Sequence, residues 1–104
     1  MSDRMRVPAI YNVTLTNANT EYSQALPAGV RAFALQPRTG VDVRFAYVTG
    51  KVAAPTAPYW TMKAGGGFGV DDVKMNVALG EGAITLFLAS ASAGTVVEIQ
   101  AWSF

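Results

Sequence analysis

The segment that most resembles a ligand-binding loop is KAGGGFGVDD, residues 63–72, which holds four glycines in five positions before two adjacent aspartates. A glycine-rich loop binds phosphate when it joins a strand to a helix and Lys-Ser or Lys-Thr follows, because backbone amides then face the anion. Neither dipeptide follows Gly69, no helical pattern follows it, and the βαβ unit of a dinucleotide-binding loop is missing. We therefore predict a connection or bulge between strands, where glycine permits positive φ, and no bound nucleotide.

Asp71 and Asp72 form the second candidate, as a paired carboxylate for a cation or for acid–base work. Adjacent residues on a strand point to opposite faces, so the two side chains are poorly placed to chelate one ion. The alternating acids of a Ca²⁺ loop are also absent. We predict a solvated turn whose carboxylates pair with Lys63 or Lys74.

Catalysis by a nucleophile has little support, because the chain contains no His and no Cys. The common Ser-His and Cys-His pairs therefore cannot form, and zinc sites without these ligands are rare. The seven acidic residues are scattered along the chain and form no visible acid–base cluster. We predict a protein that is not an enzyme and that has no cofactor, no metal and no small-molecule substrate.

Four aromatic residues are candidates for partner contact. Exposed Trp and Tyr side chains serve as interface anchors or as platforms for sugars, whereas buried ones fill a core. Tyr59 and Trp60 are adjacent and are expected to face opposite ways, so at least one of them should fill the core. Trp102 and Phe104 lie two positions apart near residue 104. The pattern does not decide which of these four aromatic residues are exposed.

Composition narrows the partner classes. Charged residues are 14% of the 104-residue chain, against about 25% in ordinary soluble domains. Hydrophobic residues reach 51%, which favours surface that another subunit covers. The net charge of +1 is too small for nucleic-acid binding, where each phosphate contact needs its own cation. No apolar run is long enough for a membrane helix, so neither nucleic acid nor membrane is an expected partner.

The hydrophobic pattern predicts an all-β protein of about eight short strands. Residues alternate in type, with apolar side chains next to small or polar ones, in YNVTLT (11–16), YSQAL (22–26), RAFALQ (31–36) and VDVRFAYV (41–48). YWTMK (59–63), which is aromatic, and VKMNVAL (73–79) are also predicted to be strands. AITLFLAS (83–90) is nearly all apolar, so both of its faces should be covered, and TVVEIQAWSF (95–104) alternates again. Turn signals recur every 8–12 residues, the spacing of a sandwich or barrel. We predict one antiparallel, jelly-roll-like β-sandwich over residues 9–104.

Residues 1–8, MSDRMRVP, lack this alternation and are predicted to form an N-terminal arm. The arm carries Arg4 and Arg6, whose guanidinium groups can bind carboxylates bidentately. We predict that the two arginines contact a neighbouring subunit or the shell of a larger assembly.

The segments EYSQALPAG (21–29), VDVRFAY (41–47) and SASAGTVVEI (90–99) together resemble small β-sandwich proteins encoded among the virion genes of tailed bacteriophages. The resemblance runs from about Tyr11 to Trp102 and contains no catalytic motif. It implies a virion structural role, above all that of a capsid decoration (cement) protein, with a head-completion, tail or fibre component as further possibilities. In that role the shell that Arg4 and Arg6 contact would be the capsid shell.

Two functions from different classes follow. The first is a non-enzymatic, homo-oligomeric decoration protein that is made in the host cytoplasm and binds the major capsid protein and its own copies on the capsid surface. The alternative is a carbohydrate-binding or tail/fibre module that recognises host surface glycans. Low charge, high apolar content and the resemblance favour the first, and exposed aromatic residues would favour the second.

Overall fold

The computed structural model describes residues 8–27, 29–70 and 84–103, which form strands and connections without a helix. The strands are β1 (Ala9–Leu15), β2 (Tyr22–Ala25), β3 (Val30–Pro37), β4 (Val43–Ala46), β5 (Trp60–Met62), β6 (Phe68–Val70), β7 (Thr85–Ala89) and β8 (Thr95–Ser103). The predicted all-β class is therefore confirmed.

The strands of the described residues form two four-stranded sheets. Sheet A has the order β1-β8-β3-β6, and sheet B has the order β2-β7-β4-β5. All neighbouring strands are antiparallel. Strand β1 pairs with β8, β2 with β7, β3 with β6, and β4 with β5. The chain therefore forms one long hairpin that is folded over into two layers, which is the jelly-roll arrangement. The predicted jelly-roll-like sandwich is confirmed.

Alternation along each strand places apolar side chains between the sheets. In β8, Val97 and Ile99 are buried, whereas Glu98 and Gln100 lie on the outer face of sheet A. The main core consists of the inward residues of both sheets: Val13, Leu15, Leu26, Val30, Phe33, Leu35, Val43, Phe45, Met62, Leu86, Leu88, Val97, Ile99 and Ala101.

A smaller cluster covers the outer face of sheet B. Val52, in the connection between β4 and β5, is fully buried with Ala46 and Ala89, and Phe87 packs against them. Leu86 and Leu88 point to the main core instead. The prediction that both faces of the 83–90 segment are covered is confirmed for this part of the strand.

The structure differs from the sequence prediction in two strands. Alternation predicts one strand over residues 41–48, but β4 spans only Val43–Ala46, because the chain bends at Tyr47 and turns at Gly50, whose φ is +87°. The glycine run is predicted to be a connection, yet its last part forms β6, which pairs with β3. The predicted strand 73–79 lies outside the described residues.

Candidate functional site

A group of exposed apolar residues lies where β4 ends and β5 begins. It consists of Tyr47, Val48, Pro58, Tyr59 and Trp60, hereafter the aromatic patch, and these residues line a hollow of about 270 Å³. Val48 and Trp60 are each 59% exposed. Contiguous exposed apolar surface of this kind is typical of an interaction site.

Rings beneath the aromatic patch hold it in place. Trp60 pairs with Phe45 across the strands, and its ring centroid lies 5.8 Å from that of Phe68. Phe68, on sheet A, lies 5.0 Å from Phe45 and so bridges the two sheets. Tyr47 meets Phe45 edge to face at 6.1 Å. These geometries are favourable for aromatic pairs, and they anchor the patch to the core.

The connection that carries the patch is tied to sheet B by polar contacts. Arg44 Nε donates to the carbonyl of Val52 at 2.7 Å, and its Nη2 donates to Asn19 Oδ1 at 2.9 Å. Glu21 accepts from the Thr49 hydroxyl at 2.5 Å and from the Gly50 amide at 2.9 Å. Both side chains therefore cross-link segments that are distant in sequence, and they limit the motion of the patch.

Tyr47 is only half-exposed, and its partial burial raises the pKa of its hydroxyl above the usual value. The hydroxyl therefore remains protonated at neutral pH and can donate a hydrogen bond to a partner. The patch thus combines apolar contact area with the polar end of a tyrosine, a combination that is enriched at protein interfaces.

A second surface is the outer face of sheet A, where a concave groove of about 510 Å³ crosses all four strands. We call it the sheet A groove. Two cross-strand rows of side chains form it, one through Ile10, Gln100, Ala34 and Gly69 and the other through Asn12, Glu98 and Gln36. It lies on the opposite layer from β4 and β5, so it is distinct from the aromatic patch.

The Glu98 carboxylate in the sheet A groove is held by two hydrogen bonds, and its charge is offset by a neighbouring arginine. Gln36 Nε2 donates to Glu98 Oε1 at 3.0 Å, and Arg38 Nε donates to Glu98 Oε2 at 3.0 Å. The hydrogen bond from Gln36, followed by that from Arg38, holds the pKa of Glu98 below its usual value. Glu98 is therefore ionised at neutral pH, and Arg38 offsets its charge.

The glycine run is built into the sandwich. Gly65, with φ of +78°, forms a tight turn in which the Gly66 amide donates to the Lys63 carbonyl at 2.9 Å. Asp42 accepts from the Ala64 amide at 2.7 Å and from Lys63 Nζ at 3.3 Å. The hydrogen bond from the Ala64 amide is the main cause that holds the pKa of Asp42 below its usual value, and the hydrogen bond from Lys63 is the second cause. Lys63 thus pairs with Asp42, whereas the sequence favours Asp71 or Asp72, which lie outside the described residues.

The residues that the sequence predicts to bind a partner do not form one group in the structure. Tyr59 and Trp60 are both exposed in the aromatic patch, although alternation predicts that only one of them would be. Trp102 is half-buried on sheet A and pairs with Ala32. Arg4, Arg6 and Phe104 lie outside the described residues.

Sequence reasoning missed two members of the patch. Alternation places Tyr47 and Val48 in a long strand, with Tyr47 on the same face as Val43 and Phe45, but the strand ends before them and both are exposed. The available signal was the Thr49-Gly50 pair, because a turn there shortens the strand.

Among residues 8–27, 29–70 and 84–103, no three His, Cys, Asp or Glu side chains come together as a metal site would require. The same residues include no helix of the length and apolar character needed to span a membrane. Comparison of the chain with family models, with curated proteins and with solved structures gave no match.

Proposed function

We propose that this chain is a non-enzymatic structural protein of a tailed-phage virion, and specifically a decoration protein that binds the outer surface of the capsid. The observation that carries the proposal is the aromatic patch: four large apolar side chains, Tyr47, Val48, Tyr59 and Trp60, stay exposed on a domain whose core is otherwise well formed. Aromatic anchors of this kind supply much of the binding energy at protein interfaces.

Three further properties support the proposal. The jelly roll is a fold used by viral capsid proteins as well as by lectins, although fold alone does not establish function. The low content of charged residues suits a protein that is partly covered in an assembly. The resemblance of three segments to virion proteins of tailed phages points the same way.

In this proposal the aromatic patch contacts the major capsid protein, and copies of the chain contact each other around a capsomer. The patch lies on a connection fixed by Arg44 and Glu21, so little ordering cost opposes binding. A decoration protein of this type stabilises the capsid because it binds the assembled shell and not the dissociated subunits.

The proposal is tested with heads of the source phage that are assembled without this chain. Purified chain is added, and bound protein is measured after the heads are sedimented. We expect saturable binding at a fixed ratio to the major capsid protein and a higher temperature for head disruption. Heads that bind none of the chain, or that bind it without a plateau, would contradict the proposal.

A further inference from the structure

The sheet A groove has a chemical character that the aromatic patch lacks. Its polar groups are mainly side-chain amides, from Asn12, Gln36 and Gln100. The amides of Asn12 and Gln100 have no protein partner within the described residues, so they are available to a ligand. An amide both donates and accepts hydrogen bonds, and it therefore complements a hydroxyl group, which does the same.

The charge in the groove disfavours an ionic ligand. Glu98 is the acid that lines the groove, and Arg38, at its margin, is engaged with the Glu98 carboxylate. An anionic ligand would meet this carboxylate, and a cationic ligand would compete with the guanidinium of Arg38. Because the pair is balanced, the groove best fits a neutral polar molecule.

The concave shape arises from small residues, including those of the glycine run. Gly69 of β6 faces the groove beside Ala34 of β3, and Gly67 continues the same floor. A Cβ at Gly69 would meet the Ala34 Cβ at 3.6 Å, an ordinary contact. Packing within the sandwich therefore does not require glycine at this position, whereas an open groove does.

We propose that the sheet A groove binds a neutral, unbranched oligosaccharide, with the amides of Asn12, Gln36 and Gln100 bonding its hydroxyl groups. The four strands span about 14 Å at the usual interstrand spacing, which is room for roughly three sugar rings. Trp102 lies two residues from Gln100 on the same outer face, in the next cross-strand row. Its half-exposed ring offers an apolar surface against which a sugar ring at the end of the groove stacks. This site is independent of the proposed capsid contact.

The test uses defined probes: maltohexaose, cellohexaose and hexa-N-acetylchitohexaose as neutral chains, and hexagalacturonate as an anionic one. Binding is measured by titration calorimetry at millimolar ligand. We expect at least one neutral chain to bind and hexagalacturonate not to bind. Gln100→Ala should weaken binding about tenfold, the loss expected for one hydrogen-bonding group. Gly69→Val should abolish binding because the methyl groups of the valine would fill the floor of the sheet A groove.

Two controls show whether the sugar binds in the groove itself. Gln24→Ala removes a glutamine from sheet B, where Gln24 donates to the Ala25 carbonyl, and it should leave binding unchanged. In a Trp60→Phe background, Trp102 is the single tryptophan, so sugar binding should change its fluorescence. Melting curves of each variant establish that it is folded.

Three results would overturn the proposal. The first is that none of the neutral chains binds at millimolar concentration. The second is that Gln100→Ala and Gly69→Val both bind as the wild type does. The third is that Gln100→Ala loses binding to phage heads, which would make the groove a protein interface. Failure of head binding alone would leave the groove proposal intact, because the two surfaces lie on different sheets.

Discussion

The substitution Val48→Lys tests the aromatic patch most sharply, because it adds a charge to the patch while removing little packing. Val48 is 59% exposed, so only about two-fifths of its surface is covered. Full burial of a valine contributes roughly 2 kcal/mol, and the covered part therefore contributes about 0.8 kcal/mol. We expect the melting temperature to fall by about 5 °C, at the usual scale for a domain of this size.

The effect on binding should be much larger. If a capsid subunit covers the patch, the ammonium group introduced by Val48→Lys must lose its water without gaining a partner, which typically costs about 2 kcal/mol or more. That cost corresponds to at least a roughly 30-fold rise in Kd. Binding and stability should thus respond differently to the same change.

Ala54→Lys is the matched control, because Ala54 is exposed in the same connection but does not line the patch. Each variant is titrated onto heads that lack the chain, and its melting temperature is recorded in the same buffer. We expect Ala54→Lys to bind as the wild type does. Equal affinities of the Val48→Lys and Ala54→Lys proteins would refute the role of the patch.

Further predictions concern stability, pH, ligands and the N-terminal arm. Arg44→Met should lower the free energy of unfolding by about 2 kcal/mol, since two partly buried hydrogen bonds and one exposed hydrogen bond are lost. Arg38→Met breaks an exposed ion pair and should cost much less, so equal losses in thermal melts would contradict the loop-fixing role. The folded pKa of Asp42 is depressed, so its contribution to the free energy of unfolding is present above the unfolded pKa near 3.8 and is lost as the pH falls through the lower folded pKa. The difference in melting temperature between the wild type and Asp42→Asn should therefore shrink in acid. A difference that does not depend on pH would count against this role of Asp42. The melting temperature should not respond to EDTA, Mg²⁺ or ATP, and a reproducible shift with any of them would show a site that the glycine run is predicted to lack. Deletion of residues 1–7 removes no described strand residue and should weaken salt-sensitive head binding without unfolding the domain; a large melting loss with unchanged binding would assign the arm to the fold.

Local alternation was sufficient to predict the fold class. In β1 and β8 each buried residue is followed by one that is more exposed, so the faces of Val13, Leu15, Val97 and Ile99 were evident from the sequence. The turn at Gly94, with φ of +78°, was equally evident from its residue types. Short-range rules succeed here because they depend on neighbours within a few positions.

The two surfaces were not predictable in this way. The groove joins Asn12, Ala34, Gly69 and Gln100, which become neighbours only through strand pairings that are distant in sequence. The strand β6 was missed because Gly69 has no side chain to give alternation, and its pairing with Ala34 is a tertiary effect that overrides the low strand propensity of glycine.

The central claim is that the chain is a capsid component, and the copy number of the chain in purified heads tests it most directly. Heads freed of tails are analysed by quantitative mass spectrometry, with the major capsid protein as the internal standard. The account predicts that the chain is present at a constant ratio to the major capsid protein, independent of the preparation. Absence from heads, or recovery only in tails or in the unassembled fraction, would contradict it.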